Sequence, residues 1–155
     1  MNTKKLTIIA LFIALSAVGG FIKLPSAVGS IALDIFPALI AVIVIGNKSG
    51  ALVGGLGHMI SAQLGGLPLG PLHLIIAVEM ALLVLLFGLL YQSGRRILAS
   101  ILFVLGNGLF AALPFAFIIS FSFYIAIAPM LLLAAFINTI LALLIIPRLK
   151  PFFKQ

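Results

Sequence analysis

Residues 62–73 read AQLGGLPLGPLH, with three glycines and two prolines between Gln63 and His73. Glycine and proline at this density end a helix and start a turn. On either side the text is apolar over lengths that suit a membrane helix, 50–64 before it and 72–91 after it. The stretch therefore reads as a hairpin link between two membrane segments. Working outward from it gives four more segments, 6–22, 31–45, 97–117 and 124–146. They are divided by KLPSAVGS at 23–30, GNKSG at 46–50, QSGRR at 92–96 and a weaker break at SFSF, 120–123. Pro114 and Pro129, with Ser120 and Ser122, place that last turn. The segments 31–45 and 50–64 are short, spanning only about 22 Å as helices.

Composition agrees with this division. The chain has 155 residues, is 65% hydrophobic and is 7% charged, whereas a soluble domain carries about 25% charged residues. The expected fold is all-α: one transmembrane domain over 1–155 with six helices. The start, MNTKKLTIIALFIALSAVGG, has the layout of a signal peptide. With further apolar segments behind it, an uncleaved first helix is the expectation. There is no cysteine, which excludes disulfides and thiolate chemistry.

The net charge of +7 is concentrated at segment ends, so it reports topology rather than a nucleic-acid surface. With the N-terminus inside, six spans place Lys4, Lys5, Lys48, Arg95, Arg96, Arg148, Lys150 and Lys154 on the cytoplasmic side and only Lys23 outside. This bias predicts an N-in, C-in topology. It puts 23–30 and 65–71 on the external face.

Polar groups inside a bilayer are costly and usually face protein or a water-filled cavity. The candidates are Asp34, His58, Gln63, His73, Glu79, Asn107 and Asn138. Most fall in the outer halves of their segments. That suits an externally open pocket better than a pore, which needs polar groups along its whole depth. Each has a second reading. Asp34 precedes Pro37 and fits a helix cap. His58 fits a bond across the GALVGGLG surface, Glu79 a structural pair with His58 or His73, and Asn107 and Asn138 fit interhelical bonding. His73 and Glu79 stand six apart, about 240° around a helix, so they point in different directions unless Pro71 distorts the helix.

Small residues form two stripes. Ala10 and Ala14 lie four apart in the first segment, continuing to Ala17, and Gly50 and Gly54 make a GxxxG followed by Gly57. Such stripes allow close approach of helix backbones in lipid. Enzyme signatures are missing: there is no GxSxG, HExxH or Walker loop. Two histidines fifteen residues apart with Glu79 are a poor metal set. No cofactor and no metal are expected, and any use of ATP must come from partner subunits.

The text ALFIALSAVGGFIKLPSAVGSIALDIFPALIAVIVIG, followed by GALVGGLGHMISAQLGGLPLGPLHLIIAVEMALL, resembles the substrate-binding S component of energy-coupling factor (ECF) vitamin transporters. The resemblance runs over nearly the whole chain and is most specific in residues 7–90. Within the family it is most similar to S components for α-ribazole, a cobamide precursor; pantothenate-type and other vitamin S components share much of the scaffold. The resemblance implies a multi-pass protein of a prokaryotic cell membrane that binds a vitamin from outside. It then docks on a transmembrane coupling protein, the T component, which carries two ABC ATPases. It further implies docking through Ala10 and Ala14, extended by Gly50 and Gly54, and gating by the loops holding Pro25, Ser26, Gly66, Pro68, Gly70 and Pro71. The implied pocket residues are His73, Glu79 and Asn107, then Gln63 and Asn138, with His58, Asp34 and Tyr124. Aromatic platforms are sparse: there is no Trp, and only Tyr91 and Tyr124 carry a phenol. A benzimidazole would have to stack on Tyr124, Phe115 or Phe123. A structural or regulatory membrane protein, whose polar residues only knit helices together, is the competing reading.

Overall fold

Helix α1, Thr3–Phe21, opens the computed structural model, which describes residues 3–26 and 29–153. Its apolar text runs for 19 residues without an acidic group, and every third or fourth side chain (Ile9, Phe12, Ser16, Gly19) turns inward. A short antiparallel hairpin follows, β1 (Lys23–Ser26) and β2 (Gly29–Ala32), with Lys23 opposite Ala32 and Ser26 opposite Gly29. Then come α2 (Phe36–Val44), α3 (Asn47–Leu64), a 3₁₀ turn at Gly70–Leu72, and α4 (His73–Gln92). The rest is α5 (Arg96–Leu105), a π-helical turn at Gly106–Phe110, α6 (Leu113–Ile118) and the 33-residue α7 (Phe121–Phe153).

Among the described residues, four stretches are long and apolar enough to cross a bilayer: Thr3–Phe21, Gly70–Gln92, Arg96–Ile118 and Phe121–Leu149. Two of the six expected spans depart from that standard. The segment 31–45 begins as strand and is helical only over the nine residues of α2, about 14 Å long. An apolar run does not by itself say whether it is extended or helical; here Leu33 N donates to Gly19 O at 3.2 Å, which keeps the chain extended as it leaves β2. The all-α class holds apart from this one short hairpin, and the expected count of six spans is corrected: a hairpin stands where a loop and the start of a helix were expected. The other case, α3, is long enough, but Asn47, Lys48, His58 and Gln63 make it too polar to qualify.

The centre of the bundle is α2. Ala38, Leu39, Ala41 and Val42 are fully buried against α1, α3, α4 and α7. A short helix that is apolar on all sides belongs inside protein, and Val53, Val84, Phe87, Phe103 and Ile146 close the core around it. Its approach to α3 depends on Gly50: a Cβ there would lie 2.5 Å from the backbone of Val42.

The turns follow local chemistry. At the end of α3, Leu67 N donates to Ala62 O (2.8 Å) and Gly66 N to Gln63 O (3.1 Å), with Gly66 at φ 88°. This is a Schellman stop with glycine in its left-handed position. The same arrangement ends α4 at Gly94 (φ 86°), where Arg95 N reaches Leu90 O. Pro129 does not mark the last turn as expected; it lies inside α7 together with Pro147 and Pro151. The break falls at residues 119–120, at the edge of the expected SFSF site, where Ser120 Oγ accepts from Phe123 N at 3.1 Å.

Candidate functional site

Asp34 sits in the connector between β2 and α2, and that connector is clamped from α7. The Asn138 side-chain oxygen accepts from Phe36 N (2.9 Å) and Ile35 N (3.3 Å). Its amide nitrogen donates to Ala32 O (3.0 Å) and Ala134 O (2.9 Å). Asn138 therefore bonds the backbone on both sides of Leu33–Asp34 and supplies the cap that α2 lacks from its own sequence. Asp34 is not that cap. Its Oδ2 meets His58 Nδ1 on α3 at 3.0 Å, with the two side chains only 10% and 19% exposed. At the other end of α2, Gln92 Nε2 donates to Val42 O at 2.9 Å. Both orphan ends of an enclosed helix are thus closed by amides from neighbouring helices.

The His58 ring stacks on His73, with centroids 5.9 Å apart and planes at 24°. His73 opens α4, and its Nδ1 lies 3.3 Å from Gly70 O in the 3₁₀ turn. The glycine-proline link that opened the sequence reading is therefore a tight series of hydrogen-bonded turns, and it delivers His73 to His58. Asp34, His58 and His73 form one chain of contacts joining the α2 connector, α3 and α4. His58 Nε2, on the far side of the ring from Asp34, is buried without a partner.

Glu79 lies further along α4. Its Oε2 is buried without a hydrogen-bond partner. Four residues on and on the same side of the helix, Leu83 packs on Gly106, where a Cβ would come within 2.5 Å of its methyl. Glu79 therefore belongs to the side of α4 that meets the π-helical turn, while His73 belongs to the side that meets α3. Asn107 is half-buried within that turn, between Gly106 on α4 and Gly108 packed on Leu132 of α7. π-helical turns of this kind occur often at functional sites.

Other expected residues fall elsewhere. Gln63 is exposed. Tyr124 is half-buried and stacks on Phe121 at 6.0 Å, whereas Phe115 is 2% exposed in the core. Pro25 and Ser26 end β1, opposite Ser30 and Gly29, and the remainder of that expected gate, Ala27 and Val28, lies outside the described residues. Gly66 and Gly70 adopt positive φ, and Pro68 and Pro71 are exposed between and after them. Ala10 and Ala14 are exposed on the outer face of α1. Gly50 and Gly54 are not on such a face: they pack on Val42 of α2 and on Val84 of α4, so the idea that they extend a docking surface is corrected.

Sequence reading missed Ser16, Ser61 and Gln92. Ser16 packs on Gly57, where a Cβ would be 2.7 Å from its Oγ, and Ser61 packs on Gly20. Small hydroxyls opposite glycine were the available signal. Among the described residues no three His, Asp or Glu side chains converge as metal ligands. An apolar groove of about 280 Å³ runs between α5 and α7 past Ile101, Phe136, Thr139 and Leu143, away from the polar cluster.

The family model for "ECF transporter, substrate-specific component" matches residues 4–150. No curated protein matches the chain.

Proposed function

Because the chain belongs to the family of substrate-specific components of ECF transporters, a membrane protein that works with a T component and ATPases, we propose that it captures a vitamin or vitamin precursor at the polar cluster around Asp34, His58, His73, Glu79 and Asn107. The observation that carries this reading is the placement of two partnerless buried atoms, His58 Nε2 and Glu79 Oε2, on two sides of the start of α4. A buried polar atom without a partner is destabilising, and a ligand that bonds it restores the loss. α2 begins at the depth of Asn138, near the middle of α7.

In this reading the membrane body has six segments, with the hairpin plus α2 as the second and α3 as the third; α2 is enclosed, while α3 turns Leu52, Leu56 and Ile60 outward. The orientation is N-in and C-in in a prokaryotic cell membrane, as the cation bias favours. The hairpin and the 65–71 link lie on the external side and serve as the two gates. Docking on the T component falls to the exposed Ala10 and Ala14, and two ABC ATPases supply the energy. Asn138 shapes the site by fixing the connector, and Gln63 and Tyr124 stand at its rim. The favoured substrate is α-ribazole, on the resemblance of residues 7–90; pantothenate is the alternative.

Thermal denaturation of the purified protein with α-ribazole, dimethylbenzimidazole, pantothenate and riboflavin tests this. A ligand at a hundredfold excess over its Kd adds about 2.7 kcal/mol, several degrees in melting temperature. A flat response across the panel leaves the chain as a structural or regulatory membrane protein.

A further inference from the structure

The chain contains two acidic residues, Asp34 and Glu79, against nine basic ones. Basic residues outnumber acidic ones everywhere except at the candidate site, to which both carboxyl groups belong. Asp34 is engaged by His58. Glu79 Oε2 is engaged by nothing. Eight of the nine basic residues fall at positions 4, 5, 48, 95, 96, 148, 150 and 154, at segment ends that the positive-inside bias assigns to the side opposite the 65–71 link. The ninth, Lys23, is in β1.

From this distribution we infer that the ligand is uncharged or cationic and presents an N–H or O–H donor to Glu79, and that carboxylate- or phosphate-bearing ligands are excluded. The inference rests on the transporter reading above and names the chemical class that its site accepts. The reason is electrostatic. An anion taken from water into a low-dielectric site needs a cation or several donors around it. An ionised Glu79 would repel it at close range, and a protonated Glu79 would still leave it without a counter-charge. A neutral heterocycle or nucleoside with hydroxyl or amino donors meets no such cost. It places a donor on the orphan Oε2. A carboxyl oxygen holds such a donor in either protonation state, and more strongly when ionised. The bond would also discriminate, because a ligand lacking the donor leaves the carboxyl oxygen unpaired.

The test uses the full chain in nanodiscs and a matched panel. The uncharged probes are α-ribazole and riboflavin, the cationic probe is thiamine, and the anionic probes are α-ribazole 5′-phosphate, pantothenate and biotin. The expected result is that whichever probe binds most tightly is uncharged or cationic, and that adding a phosphate to it weakens binding at least a hundredfold. Glu79→Gln should weaken the bound probe at least tenfold without lowering the melting temperature of the unliganded protein. Tightest binding by an anionic probe overturns the inference while leaving the transporter reading intact. Loss of that anionic binding in Lys23→Ala would identify the cation responsible. Unchanged affinity in Glu79→Gln likewise overturns it. Should that variant fail to fold, the ranking of probes on the native chain still decides the charge class. No binding by any probe removes the transporter reading itself, and the inference falls with it.

Discussion

The Asn138 side chain accepts a hydrogen bond from Phe36 N at 2.9 Å across 102 positions of sequence. It is 1% exposed and bonded at both its oxygen and its nitrogen. One amide from α7 thereby sets where α2 begins and where Asp34 stands. Removing it takes this partner from Phe36 N, Ile35 N and Ala32 O at buried or part-buried positions. At about 1–3 kcal/mol for each group left without a partner, and with some relaxation, Asn138→Leu should cost about 2–5 kcal/mol. Thermal unfolding in detergent or nanodiscs measures this. Asn138→Asp keeps the acceptor and loses both donations, so it should also destabilise; a variant as stable as the native chain would remove the clamp from the account of the fold.

Gln92 holds the opposite end of α2 through a single bond to Val42 O. Gln92→Leu should cost about 1 kcal/mol, less than Asn138→Leu. The same unfolding assay ranks the two, and a reversed order would mean that the C-terminal end of α2 carries more of its anchoring.

Asp34 and His58 are in direct contact at low exposure. Single replacements, Asp34→Ala and His58→Ala, should each destabilise, and the double variant should cost less than their sum by about 1–3 kcal/mol. A double-mutant cycle in unfolding free energy gives that coupling. Additive losses would show that the contact contributes no stability.

Two kinds of small residue should behave oppositely. Gly50→Ala pushes a methyl into the backbone of Val42, which cannot move aside, so overpacking should cost about 1–3 kcal/mol. Ala10→Trp and Ala14→Trp add bulk on the exposed face of α1 and should leave stability and ligand binding within about 0.5 kcal/mol of native. In the proposed complex they should abolish uptake. Loss of binding and of uptake together would merge the docking and binding surfaces into one.

Much was legible in the text of the chain. Hydrophobicity and the positions of Gly and Pro marked the long spans within a few residues, because a bilayer demands apolar length and glycine is the residue that stops a helix in left-handed geometry, as at Gly66 and Gly94. Residues 31–45 were not legible, since Ile31, Ala32 and Leu33 are as apolar in a strand as in a helix. Asn138 was visible as a buried polar residue, but its role was not, because Ala32, Ile35 and Phe36, whose backbone it clamps, are more than 100 positions away.

By itself, then, the sequence determined a membrane class, a cation bias, the glycine and proline breaks between apolar segments and the presence of two acidic groups within an apolar chain. These follow from solvent preference and local backbone chemistry, which depend on residues close together. The tertiary structure decided the rest: that α2 is short and enclosed, that Gly50 and Gly54 face inward while Ala10 and Ala14 face out, and that Asp34 goes to His58. It also left Glu79 without a partner. Those outcomes depend on which helices approach one another and at what depth, and that is fixed by packing between segments distant in sequence.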